Sequence, residues 1–235
     1  MLRAKKKITK RELKEDPFFS TLGRAEAYYE ENKKMISTVA LVVIVIVVGI
    51  LIYVKNRADN NEKASAQLAQ VQQFYDNGQY QIAVDGVVER KIIGLKAIVE
   101  NYGGTHAGNF ARLYLAGSYF QLGNYAGALE EYKAMSGSED LLAVARLEGI
   151  GACEEALGNH EDAASAFEKA AGYSDSPSVA DNLGHAARNY GLSGERDRAI
   201  ELYRKLKKNH STSTAGREAD RNITRLSLLS ARAER

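Results

Sequence analysis

Residues 35–54 read MISTVALVVIVIVVGILIYV, twenty consecutive positions without a charge. Only Ser37, Thr38 and Tyr53 carry a hydroxyl. A helix of this length, at about 1.5 Å per residue, covers the roughly 30 Å hydrocarbon core of a bilayer. Lys33 and Lys34 precede the run, Lys55 and Arg57 follow it, and Tyr53 stands where an interfacial aromatic belongs. Seven valines and five isoleucines would also suit a β-strand. Strands, however, average about 5–6 residues, and nothing inside this run turns the chain. The run therefore predicts a single transmembrane helix, and every other segment belongs to one side of it or the other.

The 34 residues ahead of the run, and the run's own length, exceed a signal peptide, whose apolar core is about 7–15 residues. Ala64-Ser65-Ala66 is a small-residue cleavage pattern, but it lies ten residues beyond Val54. The expectation is an uncleaved signal anchor. Residues 1–34 hold ten Lys or Arg against six Asp or Glu. Short basic flanks stay cytoplasmic, and long domains cross largely regardless of charge. The N-terminus is thus expected inside and the domain after residue 54 outside.

Charge divides the rest of the chain, although the net value is only +2. Residues 58–203 hold eleven basic and 21 acidic side chains, a net −10, while residues 204–235 hold nine against three, a net +6. An acidic body argues against nucleic acid as a partner. One cysteine, Cys153, allows no internal disulfide, so the domain folds by packing alone. Its apolar helical surroundings read as those of a buried small hydrophobe rather than a nucleophile.

The leader opens MLRAKKKITKRELK, a run suited to anionic lipid headgroups. Asp16-Pro17 reads as the start of a helix, with Phe18, Leu22, Ala25 and Tyr29 at helical spacing. Residues 55–63, KNRADNNEK, read as a short stalk or the start of a helix. A pattern then recurs. Gly78 leads to Ala83; Gly123 to Ala128 and Tyr132; Gly158 to Ala163 and Phe167; Gly194 to Ala199 and Tyr203. These glycines stand 45, 35 and 36 residues apart, each between two apolar helical runs. A turn glycine closes a helix in the left-handed conformation at little steric cost. The alanines are small where two helices would cross closely, and the aromatics four residues on fill the gap to the next pair. The first interval is about ten residues too long. Its excess lies in DGVVERKIIGLKAIVENYGGTHAGN and reads as a lengthened helix through Ile92, Leu95, Ile98 and Val99. Leu206, Ile223, Leu226 and Leu229 predict a final helix from about Thr214.

A period near 34 with two helices per unit resembles the tetratricopeptide repeat (TPR), whose pattern is Leu-Gly-x2-Tyr, a turn glycine, then Ala-x3-Phe. Leu115-Ala116 and Tyr119 carry the likeness in the second unit, Ile150-Gly151 in the third, and Ala186-Ala187 with Tyr190 in the fourth. Glu154 stands where the third unit's tyrosine would be, and the family's early Trp and closing Pro are absent. The basic leader, anchor and repeats together resemble bacterial single-span, TPR-bearing envelope proteins, a group that includes the ancillary subunit of the Sec translocon. The resemblance implies an inner-membrane protein with its repeats in the periplasm. It implies protein partners: translocon subunits, a periplasmic chaperone or translocating chains.

No phosphate-binding loop, dinucleotide fingerprint or metal-ligand spacing occurs, and the four histidines, His106, His160, His185 and His210, stand singly. Glu130-Glu131 and Glu154-Glu155 are neighbours that do not face one another on a helix, and read as solvated faces. No catalysis, cofactor or metal is expected. In the resembled family the first helix of each unit lines a concave face. That carries over to Phe110, Leu113, Tyr114 and Phe120 in the second unit, Glu148, Ala152 and Glu155 in the third, and Asp181, His185 and Arg188 in the fourth. The Lys, Asn and Arg clamp with which some members grip a C-terminal carboxylate is missing, since Leu113, Gly117, Gly149, Asp181 and His185 hold those positions.

The sequence thus predicts an all-α chain: one transmembrane helix, then an α-solenoid of about four TPR helix pairs, then a capping helix. Its expected parts are a basic leader (1–34), the anchor (35–54), a stalk (55–63), the solenoid (64–210) and a basic capping helix (211–235). The expected function is a membrane-anchored scaffold that binds other proteins through Phe110, Leu113, Tyr114, Phe120, Glu148, Ala152 and Arg188. Lipid is its second partner, through residues 35–54 and the leader. A self-associating envelope scaffold, and less so a helical enzyme or solute receptor, are the alternatives; the oligomeric state stays open.

Overall fold

The computed structural model describes residues 17–136, 140–173 and 175–233. The basic leader, residues 1–16, lies outside them. Two compact units divide the chain, Met1–Asn56 and Arg57–Arg235. Helix α1, Pro17–Asp76, contributes to both. In the first unit its large apolar residues from Val39 to Val54 are all about half exposed or more. Within Tyr28–Asp76 an 18-residue window has a mean hydropathy of 3.2, and none of it is buried within the protein.

The second unit is a series of packed helices. The end of α1 begins it, followed by α2 (Tyr80–Asp85) and α3 (Leu95–Tyr102). Three antiparallel pairs come next: α4 (His106–Gln121) with α5 (Tyr125–Ala134), α6 (Asp140–Ala156) with α7 (His160–Ala170), and α8 (Val179–Ser193) with α9 (Arg196–Asn209). Helix α10, Thr214–Ala233, packs on α8 and α9 and closes the series. Each helix touches the next, so the core forms as three successive clusters rather than one centre. The first gathers Ala64, Leu68, Val71 and Phe74 of α1 with Leu95, Ile98 and Leu115. The second gathers Ala116, Ala128, Tyr132 and Cys153, and the third Phe167, Leu183, Tyr203, Leu206 and Leu226.

Local chemistry sets the joints. The turn glycines Gly78, Gly123, Gly158 and Gly194 all have φ between +73° and +96°. At three of them the same closure recurs: Gln79 N–H donates to Phe74 O at 2.8 Å, Asn124 N–H to Tyr119 O at 2.9 Å and Asn159 N–H to Glu154 O at 2.8 Å. These are Schellman closures, which satisfy helix-end carbonyls only when a left-handed residue follows. After one of these turns the next helix starts on a side-chain cap, Asn124 Oδ1 accepting from Gly127 N–H at 3.1 Å; ahead of α4 the Thr105 hydroxyl accepts from Gly108 N–H at 3.0 Å. The four alanines that follow the turns, Ala83, Ala128, Ala163 and Ala199, are fully buried.

The long first interval is not one lengthened helix. A two-stranded hairpin, β1 (Gly86–Val87) and β2 (Ile92–Ile93), interrupts it around a 3-10 turn at Val88–Arg90. Gly86 and Gly94 make the crossing possible. A Cβ on Gly86 would meet Ile92 O at 2.4 Å, and one on Gly94 would meet Val84 O at 2.2 Å. The β-branched residues Val87, Val88, Ile92 and Ile93 favour the strands over the helix. The chain is therefore mostly helical rather than all-α. Residues 55–63 are helical, as part of α1.

Candidate functional site

The first helices of the second and third of these pairs, α6 and α8, line a groove of about 550 Å³. Ala152, the exposed Ala156, Phe120 and Phe167 give it an apolar lining, and Glu148, Glu155, Asp181, His185 and Arg188 a polar one.

Polar side chains hold the walls in place. Glu148 accepts from the Ser178 hydroxyl at 2.5 Å and from Asn182 Nδ2 at 2.7 Å. Glu155 accepts twice from Arg188, at 2.6 and 2.8 Å, and from the buried Asn189 at 2.9 Å. Asn189 Nδ2 also donates to His185 O at 3.0 Å. Its Oδ1 is therefore the acceptor that faces His160 Nδ1 at 2.9 Å, which places the proton on that ring nitrogen. The His185 ring stacks on Phe167 with centroids 4.8 Å apart. Partial burial first, and the Arg188 guanidinium second, push its pKa below the ordinary histidine value. His185 is thus neutral at physiological pH, and the groove's charge comes from Glu148, Glu155 and Asp181 against Arg188.

Four of the seven residues expected in the groove, Phe120, Glu148, Ala152 and Arg188, line it together. Phe110, Leu113 and Tyr114 do not line this groove; they pack against the core clusters. The Tyr114 ring meets Tyr75 edge-on at 4.9 Å, and Phe110 meets His106 at 4.9 Å. Tyr75, at the end of α1, supplies the cover that makes Tyr114 a packing residue.

Glu154 departs from expectation. It is buried, not solvated, and accepts from Lys133 Nζ at 2.9 Å and Asn159 Nδ2 at 2.8 Å. Burial pushes its pKa up, but the hydrogen bonds from Asn159 and Lys133 outweigh it and hold the carboxyl below its usual value. Glu131 reaches Arg112 at 2.6 Å. Sequence reasoning also missed the buried asparagines Asn109, Asn182 and Asn189. Their signal was spacing: Asn182 and Asn189 lie on the stripe with Leu183, Ala186 and Tyr190, where a polar residue has to find a distant partner. Cys153 is fully buried, and burial pushes its thiol up to about 11, so it stays protonated at neutral pH. Among the described residues, no three His, Cys, Asp or Glu side chains gather to hold a metal ion.

The fold is shared with known repeat proteins. A crystal structure of the nearly identical TPR-like repeats of a protein described as a kinesin light chain of Podosopora anserina superposes with a TM-score of 0.53. It is 17% identical, over 74% of this chain and 89% of that one. A second crystal structure of those repeats gives a TM-score of 0.53 at 16% identity, over 74% and 90% of the two chains. At such identities the likeness speaks to the fold. Comparison with curated proteins finds no match. A family profile for the tetratricopeptide repeat-like domain matches residues 26–228, and the chain belongs to that family.

Proposed function

We propose that this chain is a non-catalytic, membrane-anchored scaffold whose solenoid holds segments of other proteins at the extracytoplasmic face of the inner membrane. The observation that carries the reading is the groove between α6 and α8. It joins apolar side chains (Phe120, Ala152, Phe167) to three carboxylates (Glu148, Glu155, Asp181). Such a surface receives a side chain or a short segment, with affinity resting on the aromatic wall and selectivity on the charges. Two of the three carboxylates, Glu148 and Glu155, are already taken up in hydrogen bonds to Ser178, Asn182, Arg188 and Asn189. The apolar window within α1 supports the anchor, and the ten-to-six basic excess of residues 1–34 supports an inside N-terminus. The architectural likeness to ancillary Sec-translocon subunits makes translocon subunits, a periplasmic chaperone and emerging chains the partners to look for.

The test is co-purification of the full chain from mild detergent, alone and with Ala152→Arg, which puts a large charged side chain into the groove's lining. Proteins with extracytoplasmic domains that bind the unaltered chain and are lost from the variant, at equal helical content, support the proposal. Retention of the same partners by Ala152→Arg, or partners confined to the cytoplasmic side, contradicts it.

A further inference from the structure

We propose that the outer face of α10 docks on an anionic lipid bilayer, the surface in which the same chain is anchored; the inference rests on the membrane-anchored reading above. Helix α10 buries Ala219 and Leu226 against α8 and α9. The opposite face presents Arg217, Arg221, Arg225 and Leu228, spaced by four, four and three residues. All four are exposed, Leu228 to 68%. Arg221 meets Glu218 at 3.2 Å, and Arg217 donates to Thr212 O at 2.6 Å and to Thr214 Oγ1 at 3.3 Å; neither Arg217 nor Arg225 forms an ion pair among the described residues. The exposed basic end of α9, Arg204, Lys205, Lys207 and Lys208, lies beside this face, since Lys207 Nζ reaches Asp220 Oδ1 at 2.7 Å.

The composition of the face selects its occupant. Protein interfaces keep charge out of their centres and rest on aromatic anchors in pockets. This face presents one leucine among guanidinium groups and no aromatic residue, and of its four residues only Arg225 also borders a cavity, the one it shares with Tyr203 and Asn222. Guanidinium groups bind phosphate oxygens in pairs, and a fluid sheet of headgroups needs no fixed register. Leu228 reaches from between them toward the acyl boundary, as in interfacial helices. The acidic body, net −10 over residues 58–203, is repelled by the same surface. Screening beyond about 8 Å leaves the nearest face to decide, and so orients the domain. The anchor supplies a high local concentration of bilayer, so modest attraction suffices.

The experiment uses the full chain carrying Leu228→Cys, labelled with a fluorophore; Cys153 is buried and protonated, so the new thiol takes the label. Chains are reconstituted singly into nanodiscs of phosphatidylcholine, or of an equal mixture with phosphatidylglycerol, both doped with headgroup spin-labelled lipid. Co-elution with discs of both kinds reports the anchor; failure to co-elute overturns the anchored reading and this inference with it. With co-elution, docking predicts quenching in the anionic discs only, abolished by high salt. One basic residue at an anionic surface changes the docked-to-free ratio by about fivefold. The triple variant Arg217→Gln, Arg221→Gln, Arg225→Gln therefore lowers that ratio by roughly a hundredfold. Equal quenching in both discs, or quenching unchanged in the triple variant, overturns the proposal. So does a probe that stays unquenched in these singly loaded discs and becomes shielded only in discs loaded with two chains, which would assign the face to a second copy.

Discussion

Glu154 occupies the place where the repeat pattern expects a tyrosine, and the structure shows why a carboxylate is tolerated there. Lys133 and Asn159 converge on its two oxygens, and the half-exposed Lys133 keeps contact with water. A hydrogen bond to a charged group is worth about 1.5–3 kcal/mol, and the exposure of Lys133 puts this pair at the low end. Because the folded carboxyl titrates below its unfolded value, its contribution is complete at neutral pH. It is lost as pH falls from the ordinary carboxylate value through the lower folded one. Glu154→Gln should therefore lower the unfolding midpoint of the detergent-solubilised chain at neutral pH, and the gap to the unaltered chain should close on acidification. A gap that stays constant with pH would mean that Glu154 acts through its shape, not its charge. None of this was legible in the sequence. Lys133 is 21 residues from Glu154, and Asn189 is 34 from Glu155, so only the fold brings the partners together.

At the scale of elements, the joints were legible and the insertion was not. A glycine before Ala-x3-aromatic announces a left-handed helix end, and Gly123, Gly158 and Gly194 adopt one with φ of +79°, +83° and +96°. The hairpin escaped because Ile92, Leu95, Ile98 and Val99 keep helical spacing across its second strand. The signal that outweighed the spacing was the pair Gly86 and Gly94, on either side of β-branched residues. The groove was legible in part: counting from the turn glycine finds Phe120, Glu148, Ala152 and Arg188, but cannot tell that Tyr75 covers Tyr114. The helix crossings admit a direct test. Ala163 is fully buried where α7 meets its neighbours. Ala163→Leu should lower the midpoint of thermal unfolding, since overpacking costs roughly 1–3 kcal/mol. Ala126→Leu, on the exposed side of α5, should leave it nearly unchanged. Equal midpoints for the two variants would refute the close crossing.

For the whole molecule, function follows from how charge and apolar surface are distributed along the chain. An apolar helix, an acidic body and a basic last helix follow one another, and the groove lies within the acidic part. Because each repeat packs only on its neighbours, a groove between two of them can stay open without leaving a hole in a shared core. The central claim is that this groove, rather than the opposite face, meets other proteins. It is tested most directly by photocrosslinking in cells from a photoreactive residue at position 152, with position 126 on α5 as control. The account predicts discrete adducts with one or a few extracytoplasmic proteins from position 152, and none of these from position 126. The same adducts at equal yield from both positions, or none from 152 while 126 captures the partner, would contradict it.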